Sequence, residues 1–249
     1  MISICNFAYK QMYMNNMLVK VCGMCEKENI RAVTDLDVDM IGFAFYPTSS
    51  RYVKMISAGA GIIPDYSEER LKELKTKGEM KLVHNKIVKR AGVFIDEMPQ
   101  TIVSRIYNHY LDYVQLNGNE SSIMIDNLKR SVDPDIHKGL KVIKRIEVRE
   151  KKDLEKCREY EGYADLLLFD MKYENKETDR LIHYLDILKE YEGNIPFLLS
   201  CEFNIEDAEI IKNFNNNMFA GIDVNECFEK ETGIKDVEKL GNFIGKIKN

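Results

Sequence analysis

Short apolar runs recur along the chain at strand length, and amphipathic stretches separate them. The runs fall at 18–22, 40–45, 91–95, 113–116, 142–146, 166–169, 196–199 and 220–224. Most are apolar throughout, the pattern of strands covered on both faces; 142–146 alternates more. Helical spacing appears over 26–35, 100–110, 121–130, 151–160, 178–191, 205–214 and 237–247. Asn204 and Asp236 are predicted N-caps, and Pro99 precedes the helix at 100. Strands alternating with helices predict a parallel sheet in an α/β protein. Eight such units in 249 residues predict a closed (β/α)8 TIM barrel, a single domain, over an open doubly wound sheet.

Two segments stand outside this rhythm. Residues 1–17 read as an N-terminal extension ahead of a barrel at 18–249. The segment at about 54–89 is too long for a simple connection. It contains Ala58-Gly59-Ala60-Gly61, which has neither the spacing nor the lysine of a P-loop, so it reads as a loop before a surface helix.

Composition narrows the function classes. The chain has 41 acidic and 36 basic residues, a net charge of −5, so nothing points to nucleic acid or an anionic membrane. No apolar run reaches the roughly 18–20 residues of a membrane span. The six cysteines, Cys5, Cys22, Cys25, Cys157, Cys201 and Cys227, are scattered, which predicts free thiols and a cytoplasmic protein. Cys22 and Cys25 form a lone Cys-x-x-Cys with no second pair and no paired histidines, so no metal site is expected.

In such a barrel the chemistry lies at the carboxyl ends of the strands. Those positions hold Cys22 to Cys25, Tyr46 to Tyr52, Asp96, Asn117 to Glu120, Glu147 and Arg149, Asp170, Ser200 to Glu202, and Asn225 to Cys227. A thiol and a carboxylate facing one another can act as base and acid. Cys22 needs a lowered pKa to work as a base, which a nearby cation or helix N-terminus can provide, and Asp170 needs to stay protonated to act as an acid, which burial favours. Arg51 offers a bidentate grip on a carboxylate. Each has an ordinary structural reading too, as a buried hydrophobe or a turn residue.

The motifs resemble one family. Lys20-Val21-Cys22-Gly23-Met24 is similar to the opening signature of the phosphoribosylanthranilate isomerases. Ile41 to Val53, with Gly42, Phe43, Phe45, Pro47, Ser49, Arg51 and Tyr52, is similar to their second segment. Gly92-Val93-Phe94, Gln115-Leu116-x-Gly118-x-Glu120, Phe169-Asp170, Gly221-Ile222-Asp223 and Gly233-Ile234-Lys235-Asp236 follow in order. The resemblance implies a cofactor-free Amadori rearrangement, from an aldose amine to a 1-deoxyketose amine in tryptophan biosynthesis. It implies Asp170 as the acid that opens the sugar and Cys22 as the base at C2′. Arg51 would face the carboxylate of a small-molecule substrate.

The chain departs from that family at its phosphate loops. The glycine-rich stretch after the sixth strand becomes Glu177-Thr178-Asp179-Arg180, a Gly-Gly pair becomes Cys201-Glu202, and Asn225-Glu226-Cys227 follows the eighth strand. The usual histidine of the fourth segment is Asn117, and Cys25 replaces a polar or basic residue. Four carboxylates thus enter the expected phosphate region, offset by Arg180. This predicts weakened phosphate affinity, and it keeps open an alternative: a non-catalytic or altered-ligand relative.

Overall fold

The computed structural model describes residues 17–53, 87–133, 135–171 and 180–248. The extension before residue 17, most of the enlarged 54–89 segment, and Glu177, Thr178 and Asp179 lie outside the described residues.

Eight parallel strands close into a barrel in sequence order. They are β1 (Leu18–Val21), β2 (Met40–Ala44), β3 (Lys89–Phe94), β4 (Tyr113–Leu116), β5 (Lys141–Val148), β6 (Leu166–Met171), β7 (Phe197–Ser200) and β8 (Phe219–Val224). Closure comes from β1, which pairs with β2 on one side and β8 on the other, with Lys20 opposite Asp223. The predicted class and strand set are the observed ones. A short antiparallel hairpin, β9 (Glu229–Glu231) and β10 (Ile234–Lys235), follows β8.

Helices α1 (Lys27–Thr34), α2 (Pro99–His109), α3 (Ser122–Val132), α4 (Arg180–Lys189), α5 (Ala208–Lys212) and α6 (Val237–Lys248) complete the described elements with several 3-10 turns. Local signals account for their starts. The Glu26 carboxylate accepts from the backbone N–H groups of Glu28 and Asn29 at 3.0 and 2.6 Å. Ser121 Oγ accepts from Met124 N, and Asp236 Oδ1 accepts from Lys239 N at 3.0 Å, the cap expected there. No described helix is long and apolar enough to cross a membrane.

Two predicted helices take another form. Lys151–Tyr160 is a 3-10 helix. Its buried apolar residues, Leu154, Cys157 and Tyr160, are spaced by three, and three residues per turn puts them on one face. The 205–214 stretch divides into a 3-10 turn, Ile205–Asp207, and the short α5. The Asp207 carboxylate accepts from Asn204 N at 2.7 Å and fastens the start of that turn.

The core has two parts. A large cluster fills the space between strands and helices. A second cluster plugs the barrel interior, with Met40, Ala91, Tyr113, Ile143, Leu166, Leu168, Leu198 and Ala220. Alternation along each strand then places the next inward residues, toward the carboxyl ends, above this plug. They include Cys22, Gln115, Arg145 and Asp170, and the apolar plug is therefore the floor of a polar cavity.

A buried ion pair sets the loops on one side of that cavity. Lys144 Nζ donates to Glu120 Oε2 at 2.8 Å and to the Gly118 carbonyl at 2.6 Å. Glu120 Oε1 accepts from Asp96 N at 2.9 Å. Asp96 Oδ1 in turn accepts from Asn119 N at 2.6 Å. The loops after β3 and β4 are thereby tied together, and Asp96 and Glu120 serve as loop anchors. Removing one partner of a buried pair strands the other charge, at a cost of about 3–5 kcal/mol. Glu120→Ala is expected to lower unfolding stability by that amount in urea titration; a loss under about 1 kcal/mol would contradict the anchoring role.

Candidate active site

The cavity at the carboxyl ends of the strands has a volume of about 490 Å3, the size of a small-molecule site. Cys22, Arg51, Asp170, Arg180, Cys201, Glu202, Asn225 and Glu226 all line it. These described candidates therefore share one cavity, whereas Cys25, Asp96, Glu120, Glu147 and Arg149 do not line it. Of the degenerate loop positions, only Glu177, Thr178 and Asp179 lie outside the described residues.

Cys22 follows β1, and its N–H donates to the Val224 carbonyl at 2.8 Å. The strand continues no further because Gly23 has φ +75°, a left-handed conformation that glycine adopts without strain. The space around the thiol is set by Gly42 on β2. A Cβ there would come within 2.8 Å of Cys22 Sγ and 3.3 Å of Lys20 Nζ. Only a residue without a side chain leaves the thiol and the lysine room.

Lys20 is almost completely buried, and its Nζ donates to Asp223 Oδ1 at 2.9 Å. Burial pulls the ammonium toward losing its proton, but Asp223 and Cys22 outweigh it and hold its pKa above the ordinary value. Burial pushes the Cys22 thiol up, while Lys20 and Lys235 draw it back toward ionisation. The cation that Cys22 was expected to need is present as Lys20, but the lowered pKa it was to bring is not: burial outweighs it and the thiol stays above its ordinary value. The sequence carried a sign of it: a lysine in phase with the inward residues of an apolar strand.

Asp170 is the next-to-last residue of β6, three strands from β1 around the barrel through β7 and β8. Its Oδ2 accepts from Arg145 Nε at 2.7 Å and lies 2.5 Å from Arg145 Nη2. Arg145 also donates to the Asn117 carbonyl at 3.3 Å and lies 3.4 Å from Glu147 Oε2. Burial alone was expected to govern Asp170. Instead a charge-assisted pair fixes the plane of its carboxyl group. Sequence spacing left Arg145 without a role, because its partner lies 25 residues away on the next strand.

Arg51 holds a different set of bonds from those expected. Its Nε and Nη2 donate to Glu229 Oε1 and Oε2 at 2.8 and 2.6 Å, a bidentate pair with a buried carboxylate. Nη1 donates to Glu226 Oε1 at 3.1 Å, and Glu226 is largely solvent-exposed. Lys235 Nζ completes the group, donating to Glu229 Oε1 at 2.6 Å and to Asn225 Oδ1 at 2.9 Å. Burial raises the Glu229 carboxyl, but Arg51 and Lys235 overcome it and hold its pKa below the ordinary value. The bidentate edge of Arg51 is thus used inside the protein, and Nη1 is the donor that an outside anion can reach by displacing Glu226.

The two described loop carboxylates are both paired. Glu226 is on Arg51, and Glu202 Oε2 accepts from Arg180 Nη1 at 2.9 Å. Their charges are matched by arginines on the same rim, so the repulsion expected of them is largely offset. Cys25 lies outside the thiol pair that its spacing suggested: its Sγ donates to the Gly233 carbonyl at 3.5 Å and links the first loop to the hairpin. All five described cysteines are free. Among the described residues no three His, Cys, Asp or Glu side chains gather as a metal site.

Gly42→Ala is expected to displace the Cys22 thiol and Lys20 while leaving the barrel folded. Steady-state assays should then show at least a hundredfold loss of any turnover, with far-UV circular dichroism unchanged. Retained turnover would show that the thiol needs no such space.

The model of the family described as N-(5′-phosphoribosyl)anthranilate (PRA) isomerase matches residues 19–246. An N-(5′-phosphoribosyl)anthranilate isomerase of Parabacteroides distasonis is 37% identical over 231 residues, covering 93% of each chain. That of Phocaeicola vulgatus is 32% identical, covering 93% of this chain and 98% of its own. Among solved structures, the Thermotoga maritima phosphoribosylanthranilate isomerase matches with a TM-score of 0.65 at 25% identity, covering 93% of this chain and 98% of that one. A phosphoribosylanthranilate isomerase in complex with reduced 1-(o-carboxyphenylamino)-1-deoxyribulose 5-phosphate matches with a TM-score of 0.64 at 24% identity and the same coverage. The chain belongs to the N-(5′-phosphoribosyl)anthranilate isomerase family.

Proposed function

We propose that the barrel cavity isomerises N-(5′-phosphoribosyl)anthranilate to the corresponding 1-deoxyribulose, with Cys22 as base and Asp170 as acid. One observation carries the assignment of roles: the Cys22 thiol, in contact with a buried Lys20, shares one cavity with Asp170. Family membership supports the reaction, and the paired state of Glu202 and Glu226 speaks against a site closed to anions.

The steps follow from the chemistry of the substrate. Asp170 gives a proton to the ring oxygen, the C1′–O bond breaks, and the nitrogen lone pair forms the C1′=N bond of an iminium. The aspartate left behind is held by Arg145. Cys22 then removes the C2′ proton, and the electron pair forms a C1′=C2′ double bond while the iminium is neutralised. Tautomerisation moves the hydroxyl proton and leaves a ketone at C2′ with C1′ reduced to CH2. Protons and electrons balance within the substrate, and the sequence needs no cofactor.

Binding follows the two anionic ends of this substrate. Its carboxylate takes Nη1 of Arg51 in place of Glu226. Its phosphate takes the rim near Arg180, which begins α4 after β6. Strands β2 and β6 lie four apart in the closed order, so these two arginines stand on opposite sides of the mouth. The free thiols favour a reducing compartment, the cytoplasm.

The test is turnover of phosphoribosylanthranilate by the purified protein, read as loss of anthranilate fluorescence. Cys22→Ala and Asp170→Asn should each lower kcat by about a hundredfold to ten-thousandfold, the usual range for a removed acid or base. Because the Cys22 pKa is raised, the thiolate fraction grows as pH rises past neutrality, so the rate of Cys22 alkylation by iodoacetamide, taken as the difference from Cys22→Ala, should climb from pH 6 to beyond 9. No turnover by well-folded protein, or full turnover in both variants, would overturn the assignment.

A further inference from the structure

Gln115 sits on the inward face of β4, between Val93 of β3 and Ile143 of β5. It is 2% exposed and lines the active-site cavity. Its Nε2 donates to Asn117 Oδ1 at 2.9 Å, which orients the amide. Its Oε1 has no hydrogen-bond partner, and among the described residues it is the one buried side-chain polar atom in that state. Everywhere else the described fold satisfies its buried side-chain polar atoms, as folded proteins do. A buried acceptor without a donor is costly, and such groups persist where function uses them.

The chemistry of the acceptor selects its ligand. A carbonyl oxygen receives only O–H or N–H donors. The substrate's carboxylate and phosphate ends are both acceptors when ionised, so neither can satisfy it. The donors of the proposed substrate lie in its middle: the secondary amine N–H and the sugar hydroxyls. Beneath Gln115 lie Ile143 and Leu168, which offer no donor, and Tyr113, whose hydroxyl is not a partner of Oε1.

We infer that Gln115 is a substrate-positioning residue, whose Oε1 accepts a hydrogen bond from an N–H or O–H in the middle of the bound substrate. It holds the reacting carbons between Cys22 and Asp170 while the arginines hold the ends. Asn117 serves this by engaging the amide nitrogen, so that the oxygen is the end left for the substrate. The inference rests on the isomerase reading of the cavity and adds a contact to it.

A residue that holds the fold and one that holds the substrate respond oppositely to removal of the amide. Gln115→Met keeps the length and nearly the volume of the side chain, and Gln115→Leu is a second, branched replacement. Both remove an unpaired acceptor from the folded protein. The melting temperature of each should therefore stay within about 3 °C of the native protein's. With phosphoribosylanthranilate as substrate, kcat/KM should fall tenfold to a hundredfold in both, through a raised KM, a lowered kcat, or both. A kcat/KM within twofold of native, in a native protein that turns over, overturns the inference alone. A fall in melting temperature beyond about 6 °C in both variants, or failure of both to fold, assigns the amide to the fold and also overturns it. Absence of turnover by the native protein overturns the isomerase reading first, and this inference with it.

Discussion

The site depends on a charge buried in the barrel wall. Lys20 and Asp223 face each other across the β1–β8 seam, and both side chains are nearly sealed from water. Each ion alone would cost several kcal/mol to desolvate, so neither is tolerated without the other. The register of the closing strands supplies the pair, since Lys20 lies directly opposite Asp223. Barrel closure and the environment of the Cys22 thiol are therefore one event. The two residues stand 203 apart in sequence, so the lysine beside the thiol gains its counter-ion only when the last strand meets the first.

A second charged group repeats this logic at the rim. The hairpin after β8 brings Glu229 and Lys235 back over the first loop, where they fix Arg51 and Asn225. Glu229 carries two cations, which hold its carboxyl ionised despite burial. Arg51 is rigid because one edge of its guanidinium is spent on Glu229, and rigidity is what a binding arginine needs for a defined contact. Two of the carboxylates that the sequence placed at the expected phosphate loops, Glu202 and Glu226, are absorbed by arginines rather than left facing an incoming anion.

Much of this was legible in the sequence. The eight apolar runs became the eight strands, because strands buried on both faces leave a continuous hydrophobic signal. Cys22, Arg51 and Asp170 were found from their places at strand ends, and the structure brings them into one cavity. Lys20, Arg145 and Gln115 were not assigned roles, since a polar residue in a strand reads as solvated until the register shows it pointing inward. The partners of Arg51 were hidden for another reason: Glu226 and Glu229 are 175 and 178 residues away, and sequence spacing carries no information about a contact across a closed barrel. The 3-10 helix at Lys151–Tyr160 was hidden by composition, because a buried stripe at every third residue also fits an α-helical pattern over ten residues.

The account turns on Lys20, held in place by Asp223, as the group that draws the Cys22 thiol toward ionisation. The direct measurement is the pH profile of kcat/KM for phosphoribosylanthranilate in the native protein and in the double variant Lys20→Met/Asp223→Asn, which removes both charges without stranding either. Lys20 draws the thiol toward ionisation more strongly than Asp223 opposes it. The alkaline limb, which the thiol sets, should therefore move to higher pH in the double variant. A limb that stays where it is in the native protein would contradict the account.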